Sequence, residues 1–414
     1  MTHGPAPSAA RIWDHCEELA RCSEQPDGLT RVFLSPEQHA ASELVLTWMR
    51  DAGMQARLDE IGNCIGRYDG DRAGLPCLML GSHLDTVRDA GRYDGMLGVV
   101  AAIECVRALN ERGRRLSFAV VVAGFADEEG VRFASTLLGS RAIAGTFDPA
   151  VLDRVDAKGV SMREALVQFG LDPACLARAA YRREDILAYA ELHIEQGPVL
   201  EAEALPVGVV TAINGANRLA IGIGGVAGHA GTVPMSLRRD ALAAAAECVL
   251  EVERRCAGVP DLVGTVGRLE VLPGATNVIP GKAQFTIDIR SPRDADRHAA
   301  VADVTQALAA IGRRRGVAVD VRPLHEGSTA TCAGWLTRQL GDAIAAEGLP
   351  VRALPSGAGH DGMAMVDVTD IGMLFVRCKD GISHNPAEAI ALADAEVAAR
   401  VFLRFIENFR PAPS

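Results

Sequence analysis

Four apolar runs of strand length, each leading into histidine or carboxylate residues, constrain this chain more than any other feature. They are Leu78–Leu80 within PCLMLGSH, Leu116–Ala126 (LSFAVVVAGFA), Ile186–Ile194 (ILAYAELHI) and Ile371–Val376. Their apolar character is continuous rather than alternating, which suits strands covered on both faces. A helical pattern over Met96–Arg112 separates the first two. Strand, helix, strand implies a right-handed crossover, and so an α/β fold with a mostly parallel sheet and flanking helices. The first fifty residues read as helical. In Pro36–Gly53 the residues Ala41, Leu44, Val45, Trp48 and Met49 fall on one face, with Gly53 as a stop. A helix at Gly334–Glu347 and a strand near Val351–Leu354 precede the last run.

The middle of the chain follows another rule. Asn217–Ile223 alternates, and an Ala-rich helix spans about Ser236–Arg255. Strands near Leu262–Leu272 and Lys282–Arg290, a helix over Asp294–Arg314 and a strand near Val317–Arg322 follow. Phe285, Ile287 and Ile289 alternate with Gln284, Thr286, Asp288 and Arg290, as in a sheet with one buried and one polar face. The expectation is an α+β domain at 214–329 inserted into a catalytic domain made of 1–213 and 330–414.

That division suits a chain of 414 residues. The net charge of −11 makes the chain a poor candidate for binding nucleic-acid phosphates, which needs a basic surface. The N-terminal MTHGPAPSAARIWDHCEELARC carries no apolar segment after a basic start, and no stretch approaches the roughly 20 apolar residues of a membrane span. The 10 Cys include no CxxC pair, so the expectation is buried thiols in a reducing cytoplasm, with no membrane partner.

Hard-ligand residues gather where the apolar runs end. His83 and Asp85, two apart in GSHLDT, point the same way on an extended strand. They read equally as a metal ligand with its orienting carboxylate or as a buried histidine with a satisfying partner. Asp94, in RYDGMLG, is a ligand or a helix N-cap. Asp127, Glu128 and Glu129 are an acidic turn, or a set in which one carboxylate binds metal while its diverging neighbour faces the open coordination position. His193 and Glu195 share a strand face, and His384 follows the last run. Groups at the carboxyl ends of a parallel sheet sit where α/β folds place their sites. Histidine and carboxylate without clustered cysteine suit Zn²⁺ or Mn²⁺. A pair of ions roughly 3.5–4 Å apart requires a bridging carboxylate, lowers the pKa of bound water to about 7 and polarises a carbonyl. Such a site wants a further carboxylate as general base.

The chain resembles the hydantoinase/carbamoylase branch of the dinuclear-metal M20 amidohydrolases. The resemblance runs from about residue 10 to residue 408. It rests on GSHLDTV (81–87), GRYDGMLGV (91–99), DEEGVRF (127–133), HIEQGPVLE (193–201), GHAGTVPMSLRRDAL (228–242), TNVIPG (276–281), DIRSP (288–292), SGAGHDGM (356–363) and GISHNPAE (381–388). His193 weighs most, since peptidase relatives usually carry a carboxylate there. The resemblance implies two divalent ions per subunit, Zn or Mn, with Co or Ni as alternatives. His83, Asp94 and His193 would hold one ion; Asp94, Glu129 and His384 the other. Glu128 would be the general base and Asp85 would orient His83. The inserted domain would be a lid and homodimer interface, contributing His229, Asn277 and Arg290 to the substrate. Gln196 and Asn217 would also be substrate residues, although plain backbone bonding competes with that role.

A guanidinium fork at Arg290 suits a carboxylate, and His229, between Gly228 and Gly231, could donate to a developing oxyanion. Either could instead be a solvated residue. His360 could line the site, and His3, His15, His39, His298 and His325 are expected at the surface. The implied activity is hydrolysis of the carbamoyl or ureido C–N bond of a small carboxylate such as an N-carbamoyl-L-amino acid, releasing ammonia and CO2. Allantoate is the alternative substrate; dipeptide or N-acyl hydrolysis, or binding without turnover, are further alternatives. Many members carry Gly within Ala134-Ser135-Thr136 and Val-Pro-Ser around 376–379. Here Arg377 and Lys379 are expected to add charge near the pocket.

Overall fold

The computed structural model describes residues 5–412; His3 lies outside them. The chain forms two compact units, one running to Thr211 and continuing with Thr331–Leu354 and from Ala358 on, the other comprising Ala212–Ala330 and Pro355–Gly357.

The first unit is built on one mixed sheet. Strand order is Gln55–Leu58, Cys64–Tyr68, Ala119–Phe125, Cys77–His83, Ile186–Ile194, Ile371–Val376, Val207–Ile213 and Ala330–Thr331. The four central strands, Ala119–Phe125 to Ile371–Val376, run parallel. They are the four apolar runs, and nearly every residue in them is buried. Antiparallel strands, which the sequence reading did not single out, flank them at Cys64–Tyr68 and Val207–Ile213. Helices Ala9–Ala20, Pro36–Asp51, Met96–Glu111, Gly334–Ala346 and Leu392–Asn408 pack one apolar layer with Leu78, Leu80, Val120, Val122, Ala188, Leu192 and Leu374. Residues 21–35 are not helical, which narrows the expected N-terminal helical region to two helices. The parallel order brings the carboxyl ends of four strands to one edge.

The second unit is a four-stranded antiparallel sheet in the order Ala318–Gly327, Gly215–Gly224, Lys282–Ser291, Val263–Leu272. Helices Ala241–Ala257 and Asp294–Arg315 cover one face, against Leu219, Ile221, Ile223, Phe285, Ile287 and Ile289. Asp240, not Ser236, starts the first of these helices, its side chain accepting from the Leu242 and Ala243 N–H groups. A two-residue ladder, Gly228–His229 with Val278–Ile279, lies beside the sheet. Among the described residues no helix is long and apolar enough to cross a membrane.

Candidate metal centre

Asp94 is the centre of the arrangement. It is buried in the turn before helix Met96–Glu111, where Gly95 takes φ 72°. A Cβ at Gly95 would lie 2.6 Å from the His83 ring, so glycine serves there both for its backbone and for the space. Asp94 turns its two oxygens to two groups. Oδ1 lies 3.2 Å from His83 Nε2 and 3.1 Å from His193 Nε2. Oδ2 lies 3.2 Å from His384 Nε2, which is 3.4 Å from Glu129 Oε1. The ligand atoms of His83, Asp94 and His193 all fall within 4.8 Å of one another, as do those of Asp94, Glu129 and His384.

The histidines are oriented from behind. His83 Nδ1 donates to the Asp85 carbonyl oxygen at 3.0 Å, and His193 Nδ1 to the Ile194 carbonyl oxygen at 2.9 Å. Each ring is thereby turned so that its Nε2 faces Asp94. Asp85 acts through two groups. Its carboxylate, 3.6 Å from His83 Nδ1, accepts the backbone N–H groups of Glu128 (2.9 Å) and Glu129 (3.1 Å). It orients His83 through its main chain and holds the acidic turn with its side chain. Glu128 and Glu129 both approach His83, and only Glu129 joins the His384 group.

Charge balance matches an ion-binding pocket. Burial alone would raise Asp94, but hydrogen bonds from His193, His384 and His83 hold it well below the usual carboxylate range. Burial pushes Glu128 well above its ordinary value, with Glu129, Asp361 and Asp85 adding to the rise and His83 opposing it. Burial likewise pushes Glu129 up to about 7. Burial pulls His83 down, yet the nearby Asp85 and Asp94 carboxylates carry it well above the usual imidazole value. A cation bound among these donors would displace the protons they hold. Three imidazoles and two carboxylates, with no thiolate, fit two divalent ions sharing Asp94.

Gln196, at φ 57°, gives its Nε2 to Asp94 Oδ2 (2.9 Å) and Ser383 Oγ (3.1 Å), while its buried Oε1 has no partner among the described residues. His360 is buried with its ring edge against His193, centroids 4.4 Å apart, behind the ligand cluster. Sequence reasoning missed Ser383 and Glu388, which bond to Asp94 or its backbone; both lie in the GISHNPAE block. Arg377 does not charge the pocket: it pairs bidentately with Asp394 at 2.8–2.9 Å, and Lys379 is exposed. Ala134 holds φ 51°. His39, His298 and His325 are exposed, whereas His15 is half-buried and stacked on Trp48.

In the second unit, Arg290 lies on the open sheet face. Its Nε and Nη2 grip Asp288 at 2.9 and 3.0 Å, and Nη1 donates to the Gly357 carbonyl oxygen at 2.8 Å. This leaves the end-on edge of the guanidinium, one hydrogen from each terminal nitrogen, for a ligand. Arg290, Arg218, Asp288, Val263 and Leu324 line a cavity of about 610 Å³. His229 pairs with Val278 in the short ladder, next to exposed Asn277, whose carbonyl accepts the Ala230 N–H. Gly231 N–H donates to His229 Nδ1 at 3.0 Å, which leaves the ring proton on Nε2. Asn217 departs from expectation. It shares the helix-facing side with Leu219 and Ile221, and its Oδ1 accepts from buried Arg297 at 2.7 Å. Its amide oxygen is committed to the interior of the unit.

Residues 79–408 match peptidase family M20/M25/M40. An N-carbamoyl-L-amino acid amidohydrolase from Geobacillus stearothermophilus is 41% identical over 392 residues, covering 94% of this chain and 96% of that one. Allantoate deiminase 2 from Glycine max is 40% identical over 422 residues, covering 94% and 87%. The crystal structure of a hydantoinase/carbamoylase family amidase from Burkholderia multivorans superposes with a TM-score of 0.92 at 33% identity, covering 97% of each chain.

Proposed function

The chain belongs to peptidase family M20/M25/M40, among its hydantoinase/carbamoylase amidases, and on that premise we propose that it hydrolyses the carbamoyl or ureido C–N bond of a small carboxylate, foremost an N-carbamoyl-L-amino acid. The observation that carries this reading is Asp94, with one oxygen toward His83 and His193 and the other toward His384 and Glu129. His83, Asp94 and His193 would hold one divalent ion and Asp94, Glu129 and His384 a second. When bound, such ions polarise the substrate carbonyl and acidify water.

The remaining work falls to the chain's own residues. Glu128, fixed through its backbone by Asp85, takes the proton from the attacking water and returns it to the leaving nitrogen. The carbamate released breaks down to ammonia and CO2. Arg290, braced by Asp288, receives the substrate carboxylate on its free edge, with Asn277 as a further polar contact. His229 donates its Nε2 proton to the developing oxyanion. Gln196, tied to Asp94 by its nitrogen, offers Oε1 to the ureido N–H. A homodimer through the second unit belongs to the same proposal, with His229 serving the partner's substrate.

The similarity to allantoate deiminases supports a second reading, in which allantoate is the substrate. One experiment separates the two. Protein reconstituted with Mn²⁺ or Zn²⁺ is assayed on several N-carbamoyl-L-amino acids, N-carbamoyl-β-alanine, allantoate and a dipeptide, with products identified by mass. Ureido turnover is expected, greatest on a carbamoyl amino acid. Dipeptide hydrolysis alone, with the ions bound, would overturn the assignment.

A further inference from the structure

Glu388 is a carboxylate with 4% exposure and no arginine or lysine partner among the described residues. A buried anion of this kind needs its lone pairs satisfied by other donors. All of those found here lead to Asp94 or to the segment carrying His384. Glu388 Oε1 accepts the backbone N–H groups of Tyr93 at 2.8 Å and Asp94 at 3.1 Å. Oε2 lies 2.9 Å from Ser383 Oγ, which is itself 3.0 Å from Asp94 Oδ2. Gln196 Nε2 closes the ring through Asp94 Oδ2 and Ser383 Oγ. Room for this carboxylate is made at Gly91, where a Cβ would lie 2.1 Å from the Glu388 carboxyl carbon.

The two ligand groups depend on this ring unequally. His83 and His193 are buried, and each is held by a carbonyl oxygen of its own strand end. His384 has 48% of its side chain exposed and sits at φ 54°, a left-handed conformation that its neighbours must hold in place. Burial and those carbonyl oxygens hold His83 and His193, whereas the Glu388–Ser383–Asp94 ring adjoins His384 through its chain neighbour Ser383 and through Asp94 Oδ2. We infer that Glu388 is a positioning residue that ties the bridging Asp94 to the His384 segment and thereby sets the affinity of the Asp94/Glu129/His384 group for its ion. This inference rests on the dinuclear reading proposed above.

The test is uptake of Mn²⁺ or Zn²⁺ by metal-stripped protein, followed by calorimetric titration and by metal content after gel filtration. Glu388→Ala is expected to weaken the lower-affinity ion 10–100-fold, the range for residues that support a ligand without touching the metal, and to leave the tighter ion within about 3-fold. Ser383→Ala, which cuts the ring without emptying the Glu388 pocket, shifts the same ion. Gly91→Ala does so from the opposite side. Glu388→Gln keeps an acceptor for the two backbone N–H groups and restores part of the affinity. Equal weakening of both ions, or an unchanged second ion in Glu388→Ala and Ser383→Ala, would overturn the inference. Wild-type protein that takes up fewer than two ions would overturn the dinuclear reading itself, and the inference with it.

Discussion

Replacing Glu128 by Gln separates proton transfer from ion binding more cleanly than any other change in this site. The substitution keeps shape and volume and removes one ionisable oxygen. The backbone stays pinned, because the Asp85 carboxylate grips the N–H groups of residues 128 and 129 at 2.9 and 3.1 Å irrespective of the side chain. Neither ligand group that shares Asp94 includes Glu128, so both ions should still bind. A positioned general base typically contributes 10²–10⁴-fold, which at about 1.4 kcal/mol per decade is about 3–5 kcal/mol of barrier. Stability should move the other way. Burial raises Glu128 well above its ordinary value. The folded state therefore holds that proton more tightly than the unfolded chain, and the cost of ionising it grows as pH rises above the unfolded value. A neutral amide escapes that cost, so metal-free Glu128→Gln should melt no lower than wild type at pH 7–8. The assay is kcat on an N-carbamoyl-L-amino acid, alongside metal content and thermal melting of the stripped protein. Activity above a tenth of wild type would remove Glu128 from the chemistry. Activity lost together with an ion would make Glu128 a ligand instead.

Other residues give further tests. Asp94→Asn weakens both groups and should abolish uptake of both ions, whereas His384→Ala should leave one; equal loss in the two variants would contradict the sharing of Asp94. Arg290→Ala removes a charge-assisted hydrogen bond of about 1.5–3 kcal/mol, so kcat/KM for a carboxylate substrate should fall roughly 10–150-fold, chiefly through KM; an unchanged KM argues against the contact. Gly98→Ala would put a Cβ 2.1 Å from the Leu192 carbonyl oxygen, pushing helix Met96–Glu111 off the strand that carries His193. Overpacking of this kind costs roughly 1–3 kcal/mol, and a melting temperature equal to wild type would show that the helix yields without strain.

The parallel sheet was legible because burial on both faces leaves an unmistakable mark: Ala119–Phe125 and Ile371–Val376 contain no polar side chain. The ligand-bearing strand ends were legible for the same reason, since a His or Glu that interrupts such a run stands out. The antiparallel strand Val207–Ile213 was not singled out, although it is as long as Ala119–Phe125 and only Thr211 interrupts its apolar run. Asn217 is different: its true surroundings were readable. In Gly215–Gly224 it has the same parity as Leu219, Ile221 and Ile223, so a sheet with one covered face puts its amide among the helices, while Arg218 faces the open side with Asp288 and Arg290. The family pattern pointed to substrate there; the period of two pointed inward, and the structure agrees with the period.

What sequence reasoning could not reach is the scaffolding around Asp94. Its supports are two backbone N–H groups bonded to a carboxylate 294 and 295 residues away, and a hydroxyl 289 residues away. Every residue but proline carries a backbone N–H, so such a bond leaves no trace in residue type at the donor. The only mark at that end is Gly91, and a glycine in a loop reads as a turn, when here it is space for the Glu388 carboxylate. The same holds for His83 and His193, whose tautomers are set by carbonyl oxygens rather than by the carboxylate partner that Asp85 suggested. Ligands are visible in a sequence because their chemistry is rare. The groups that aim them are largely main chain, and they appear only when the fold brings distant segments together.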